Sequence, residues 1–406
     1  MSHIYATAGK IIHQFSSGTA TLSNHFGTLA ATAAGADAVP EVKPFDADTL
    51  CWIASCTKVM VSVAALQCVE RGWFTLDEPV EKFLPELSAP QILLKIDEKT
   101  GPTLKPATKK ITLRQMLTHS AGLSYEFTHP KMFIWRRWFL KQNKENYRLT
   151  KSEKPEEAYQ APLLFEPGEG WAYSTGIDWA GVMVSRATGK SLEDYMQENI
   201  WRPLKMSSTT FYPERYPALL PRLAAMAVRD ESSGNLSRGV DNPLRAYMSV
   251  REGGGGGSFS TANDYIKFLS ALTAPTGQCP LFMHESTRTT MFAPNLSPAA
   301  KRGLMEMHKS PEAFGLAGNV PIGTDLDFGL GGIINTEKVG ETGRARGTMQ
   351  WGGLPNLMWF VSREDGVCGA YFSQLLPSGD HRSFDLFQQY ESAVVREFAQ
   401  RTRASL

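Results

Sequence analysis

Cysteine is scarce in this chain: five in 406 residues (Cys51, Cys56, Cys68, Cys279 and Cys368), an odd number with no paired spacing. That suits reduced thiols in a cytosolic protein better than a disulfide framework. An excess of either charge is lacking too, since 42 Lys and Arg face 41 Asp and Glu and leave a net charge of +1. Such a balance offers no footprint for nucleic acid or an anionic membrane and points to a neutral or apolar substrate. Apolar runs stay below the roughly 18 residues that a spanning helix needs. Residues 1–10 have no basic region leading into an apolar one, so neither a membrane span nor a signal peptide is expected. Metal-ligand spacings and a dinucleotide fingerprint are missing as well. Gly253 to Gly257 has no Rossmann-type strand before it, so neither metal nor cofactor is expected.

What is present fits a folded enzyme: 42% hydrophobic and 10% aromatic residues suffice for one large core or two fused ones. Lys10 to Phe15 and Thr19 to Leu29 flank Ser16-Ser17-Gly18 and read as a hairpin. Only about ten residues precede Ile11, too few for a robust helix ahead of it. Thr57 to Arg71 is apolar nearly all round and stops at Gly72, the pattern of a central buried helix. From Asp77 to about Glu252 the pattern is mainly helical, with segments at Leu113 to Thr118, Asp178 to Thr188 and Ser191 to Trp201. Strand patterns return at Phe328 to Asn335, Gly347 to Trp351, Leu357 to Ser362 and Gly366 to Phe372, before a final helix from about Phe384 to Gln400. The expected fold class is α+β, an α/β sandwich: an antiparallel sheet built from both chain ends, flanked by helices, with a largely helical inserted subdomain. Residues 1–406 read as a single catalytic unit, with a sheet subdomain (1–76 and 253–406) and a helical subdomain (77–252).

Chemistry concentrates first at Ser55-Cys56-Thr57-Lys58, where a β-rich stretch turns into the apolar helix. Residues three apart on a helix lie on one face, about 5–6 Å apart at Cβ, so a lysine amine reaches a serine hydroxyl one turn back. A partly desolvated lysine that stays neutral accepts the proton that serine must lose to become a nucleophile. The helix N-terminus favours the negative charge that develops there. Cys56 points about 100° away from Ser55 and reads as packing. Tyr173 and Ser174 follow the turn Glu166 to Gly170, from which a phenol either shares the serine proton or simply packs. In Gln350-Trp351-Gly352-Gly353-Leu354-Pro355-Asn356, the glycines at a strand end let backbone approach a ligand, or form a plain turn. Gly253 to Gly257 is either a flexible linker or a site of close backbone packing ahead of a helix capped at Thr261. Phe133, Trp135, Trp138 and Phe139 with Arg136 and Arg137 form a lid or docking patch, or the two faces of an ordinary amphipathic helix.

In this order, S-x-x-K, Y-S-T and W-G-G resemble the three motifs of serine β-lactamases and penicillin-binding proteins, above all the class C β-lactamase branch and its esterase relatives. Leu113 to Leu123, Gly181 to Gly189, Gly255 to Tyr265 and Phe328 to Ile333 extend the resemblance along nearly the whole chain. His119 to Pro130, Ile177 to Gly181 and Gly329 to Ile334 look most like fungal side-chain acyltransferases and esterases of polyketide secondary metabolism. The resemblance implies a β-lactamase/transpeptidase-like fold, acylation of Ser55, Lys58 as its base and Tyr173 as the proton-shuttling partner. It further implies an oxyanion hole from the backbone amides of Ser55 and Leu354. Tyr125, Thr175, Trp351, Gly352 and Gly353 are expected at the substrate, with Tyr125 on the acyl pocket and Trp351 as an aromatic wall.

Two departures shape the expected chemistry. Trp351 stands where the β-lactamases carry a lysine, and Thr175 replaces the asparagine of the second motif. Without that cation a substrate carboxylate is buried unpartnered, which costs several kcal/mol, so esters are expected over antibiotics unless Arg344 or Arg346 supplies the charge. The expected reaction moves an acyl group from an ester or thioester to an alcohol of a small molecule. The donor is a small-molecule ester, or a thioester of coenzyme A or an acyl carrier protein. A carboxylesterase acting on small-molecule esters or lactones is the alternative, and a non-catalytic or rearranging protein on the same fold the third reading.

Overall fold

The apolar helix that begins at Thr57 is the axis of the molecule. In the computed structural model of the protein, residues 2–7, 10–16, 44–143, 152–239, 250–309, 320–340 and 342–404 are described. Five helices bear on the sheet and the site: α1 (Thr57–Glu70), α2 (Pro130–Gln142), α3 (Gly176–Thr188), α4 (Ala262–Leu272) and α5 (His381–Ala404). Every side chain of α1 from Thr57 to Cys68 is buried, because its surface is apolar on all sides. The helix ends at Gly72, whose φ of +73° suits a residue without Cβ.

A seven-stranded antiparallel sheet runs in the order β2-β1-β13-β12-β11-β10-β9. Its strands are β1 (Ser2–Thr7), β2 (Lys10–Ser16), β9 (Leu326–Phe328), β10 (Ile333–Asn335), β11 (Met349–Gly353), β12 (Leu357–Ser362) and β13 (Val367–Phe372). Alternate residues of a strand face opposite ways. Leu357, Trp359 and Val361 therefore join the core around α1 and α4, while Met358 and Phe360 pack on Phe384, Phe387 and Tyr390 of α5. Smaller pairings complete the strands: β3 (Cys51–Trp52) with β8 (Phe259–Ser260), β4 (Gln91–Asp97) with β5 (Gly101–Pro106), and β14 (Leu375–Leu376) with β6 (Ala227–Arg229), itself paired to β7 (Leu236–Arg238).

The expected α+β architecture, with the main sheet drawn from both ends of the chain, is what the structure shows. Several local readings differ. The partner of Lys10–Ser16 is Ser2–Thr7, which also pairs with β13 through Ser2 and Phe372, so the first residues are strand. Thr19 to Leu29 lies outside the described residues. Phe328 to Asn335 is a reversal between β9 and β10 and not one strand, because Gly331 at φ +146° turns the chain. The stretch after Asp77 also holds the β4–β5 hairpin. There Gly101 at φ +88° sets the turn and β5 is largely exposed, so apolar periodicity is too weak to announce it.

Candidate active site

Ser55 is presented by a strained turn. Between β3 and α1 the residues Ala54–Cys56 form one 3-10 turn, and Ala54 takes φ +44°, unusual for a residue with Cβ. Several bonds hold that turn: Cys56 N–H to the Ile53 carbonyl (3.0 Å), Thr57 Oγ1 to the Ala54 carbonyl (2.7 Å) and Trp52 Nε1 to the Gly256 carbonyl (2.7 Å). The result leaves Ser55 half-buried at the cavity while Cys56, Thr57 and Lys58 are buried. Burial pushes the Cys56 thiol far above its ordinary range, which makes it packing.

One helical turn on, Lys58 Nζ donates to Ser55 Oγ at 3.2 Å and to the Gly255 carbonyl at 2.5 Å. The amine also lies 4.7 Å from the Tyr173 ring centroid and 5.0 Å from that of Tyr125. From the other side the Tyr173 hydroxyl donates to Ser55 Oγ at 2.5 Å. The serine oxygen thus sits between an amine and a phenol, with Lys58 only 1% exposed.

Tyr173 arrives on the loop before α3, where its carbonyl accepts from Tyr125 N–H (3.2 Å) and Thr128 Oγ1 (3.2 Å). Its ring is boxed by His119, Tyr125 and Trp351, with centroids 4.9, 5.2 and 5.2 Å away. His119 holds φ +59°, and its Nδ1 accepts the Ser174 N–H at 3.2 Å. Burial first, and Lys58 second, keep that imidazole well below the ordinary histidine range, so it is neutral.

A cavity of about 310 Å³ opens in front of Ser55, and Tyr125, Thr175 and Leu354 are among the residues that line it. Trp351, Gly352 and Gly353 are not among its lining residues. The Trp351 ring instead packs behind Tyr173 against Phe328 and His119, so it buttresses the phenol and is no wall for an acyl group. A Cβ on Gly353 would come within 2.4 Å of the Ile53 carbonyl oxygen, which is why the end of β11 closes directly on the serine turn. Arg344 is fully buried and paired with Glu391 of α5, and Arg346 is exposed; neither lines the cavity. The helix α2 roofs the site with buried Met132 and Trp135 and turns Phe133 outward, 53% exposed. Arg136, on the rim, is paired with Glu126 at 3.1 Å.

The five glycines are packed backbone. A Cβ on Gly254 would lie 2.7 Å from the Ile177 carbonyl oxygen, and one on Gly255 2.2 Å from Tyr125 Oη and 2.3 Å from Asp178 Oδ2. Asp178 was legible in the sequence only as a helix start, yet it is a buried carboxylate on the cavity wall that accepts the Tyr125 hydroxyl at 2.6 Å. Among the described residues no group of three or more His, Cys, Asp or Glu side chains could hold a metal ion, and no helix is long and apolar enough to cross a membrane.

A serine held by a lysine one turn away and by a tyrosine from a second loop, beside an antiparallel sheet, defines a serine enzyme of the hydrolase and acyltransferase class. The chain belongs to the β-lactamase family, whose model matches residues 11–391. It is 35% identical over 366 residues to monacolin J acid methylbutanoyltransferase of Aspergillus terreus, covering 90% of this chain and 86% of that one. It is 34% identical to lovastatin esterase of Penicillium rubens over 367 residues, with 88% of each covered. The solved structure of unliganded simvastatin synthase from Aspergillus terreus superposes with a TM-score of 0.85 at 33% identity, covering 98% of this chain and 93% of that one.

Proposed function

We propose that the protein transfers an acyl group, through an ester on Ser55, from an ester or thioester donor to an alcohol of a small molecule. The observation that carries this reading is the placement of Ser55 Oγ within hydrogen-bonding distance of both Lys58 Nζ and the Tyr173 hydroxyl. Ser55 Oγ attacks the donor carbonyl carbon as Lys58 accepts its proton, and the carbonyl oxygen becomes an oxyanion. The amides of Ser55 and Leu354 stabilise that oxyanion; the close approach of β11 to the serine turn supports their pairing. On collapse the donor's alkoxide or thiolate leaves with the proton, passed through Lys58 and Tyr173. The same pair then deprotonates the incoming alcohol, whose oxygen takes the acyl carbon and returns Ser55 with its hydrogen.

The substrates follow from the walls. The third-motif position holds an indole engaged behind Tyr173, and the rim cation Arg136 is already paired, so a β-lactam carboxylate has no free cation among the lining residues. The volume of about 310 Å³, roofed by Met132 and Trp135, suits a short apolar acyl chain of the kind named for the methylbutanoyl-transferring relative. The donor is a thioester of coenzyme A or of an acyl carrier protein, or an ester, and the acceptor an alcohol of polyketide type. The enzyme works in the cytosol, a setting that its five free thiols suit, and as one catalytic unit. Hydrolysis is the second reading, favoured by the partial exposure of Ser55.

Intact-mass spectrometry tests this. Incubation with short acyl thioesters and p-nitrophenyl esters should add one acyl mass to the wild type and none to Ser55→Ala. Added alcohols should discharge the acyl-enzyme to new esters faster than water does. Acylation of Ser55→Ala, or a kcat/KM for nitrocefin above that for every ester and thioester, would overturn the reading.

A further inference from the structure

Behind the Ser55–Lys58 pair lies a carboxylate to which the acyl-transfer steps give no role. Asp178, in the first turn of α3, is 1% exposed. Its Oδ2 accepts the Tyr125 hydroxyl at 2.6 Å and its Oδ1 the Gly255 N–H at 2.8 Å, while the Tyr159 hydroxyl faces the same group. An ionised carboxylate only accepts hydrogen bonds, and converging donors of this kind favour the ionised form. Burial pushes its pKa up, and the nearby Lys58 charge is the largest influence opposing that rise.

Gly255 is the link. Asp178 holds its N–H, and its carbonyl accepts from Lys58 Nζ. Only a residue without Cβ lets the carboxylate and the Tyr125 hydroxyl close on that position. Tyr125, Tyr159 and Gly255 all line the cavity with Asp178. Lys58, Tyr125 and Tyr159 are the titratable groups that bear on Asp178, with Tyr173 beside Tyr125, His119 near Lys58 and Glu126 beyond Tyr159.

We infer that Asp178 is a positioning residue for the Ser55–Lys58 pair: through Gly255 it holds the carbonyl that aims Lys58 Nζ at Ser55, and it sets a carboxylate beside the buried amine. The inference rests on Ser55 as nucleophile and Lys58 as base. Asp178→Asn keeps an oxygen for the Gly255 N–H and an amide for the Tyr125 oxygen but removes the charge. A nearby anion favours the protonated form of a base, so removing this charge is expected to move the acid limb of a Ser55 reaction to lower pH. Asp178→Ala removes the tether as well.

The test is the rate of Ser55 labelling by a fluorophosphonate as a function of pH, with folding followed by circular dichroism. For Asp178→Asn the acid limb is expected to move down by about one pH unit or more. For Asp178→Ala the plateau rate is expected to fall at least about tenfold, the size of a positional loss at a reacting group. An acid limb unmoved or raised in Asp178→Asn overturns the inference, and so does wild-type labelling by folded Asp178→Ala. Should Asp178→Ala not fold, the Asp178→Asn limb decides alone. Labelling of Ser55→Ala at the wild-type rate would instead overturn the assignment of the nucleophile.

Discussion

The indole of Trp351 backs the phenol of Tyr173, centroid to centroid at 5.2 Å and tilted by 51°. Tyr173 in turn places its hydroxyl on Ser55 Oγ. At the strand position where the β-lactamases carry a cation, this chain thus puts an aromatic ring that backs Tyr173. The change removes a charge from the site and leaves Lys58 and Tyr173 as the groups in contact with the serine oxygen, each dependent on the other.

That dependence has a kinetic signature. Lys58→Ala and Tyr173→Phe should each lower kcat for ester turnover by about 10²–10⁴-fold, the usual worth of a positioned acid or base. The double variant should be little worse than the poorer single one, because losses from groups acting as a unit do not add. Steady-state kinetics on the four proteins checks it; additive losses in activation free energy would mean that the two groups act separately.

The glycine run should be sensitive at one position and tolerant at the next. Gly255→Ala drives a methyl into Tyr125 Oη and Asp178 Oδ2, whereas the nearest atom to a Cβ on Gly256 is 3.7 Å away. Overpacking of this kind costs about 1–3 kcal/mol, and Gly255→Ala should also lose ester turnover as the Lys58 acceptor shifts. Gly256→Ala should keep both near wild type. Urea midpoints and kcat measured side by side decide, and equal behaviour of the two variants would refute the packing argument.

Arg344 and Glu391 form a bidentate pair, each 1% exposed, that ties the segment before β11 to α5. Removing one partner strands a buried charge, so Arg344→Ala or Glu391→Ala should cost about 3–5 kcal/mol. Replacing both, as Arg344→Met with Glu391→Leu, should cost clearly less than either single change. Denaturant unfolding of the three variants tests this, and a double variant less stable than both singles would show that packing outweighs charge there.

His119 makes stability depend on pH in a stated direction. Burial holds its folded pKa well below 6.5, so the unfolded chain binds a proton that the folded chain refuses. Its contribution is full above about 6.5 and is lost as pH falls below that value, by at most about 1.4 kcal/mol per pH unit. His119→Asn, a residue that tolerates the positive φ, should lose less stability between about pH 7 and pH 5 than the wild type does. Parallel slopes of urea midpoint against pH would refute it.

Much of this protein is local and was legible without a structure. Three-residue spacing puts Lys58 on the face of Ser55, all-round apolarity buries α1, and Thr261 caps α4 by accepting the Asp264 N–H. These features depend on neighbours within a turn or two, and the chain encodes them directly. Reversals set by one glycine, as at Gly331, left weaker traces, because a short β pair has too few residues for its period to stand out.

Which residues meet across the site was decided by the tertiary structure. That Trp351 faces Tyr173 follows from the register of β11 against β12, since a shift of one residue would turn the ring to the other face of the sheet. That Asp178 stands behind Lys58 follows from the packing of α3 on α1 and of the glycine loop between them. Contacts between residues separated by more than a hundred positions arise when helices and strands settle at particular distances, and composition and periodicity carry no measure of those distances. The sequence by itself determined the spacing that sets Lys58 on Ser55 and the class of fold; the packed structure decided which side chains surround them.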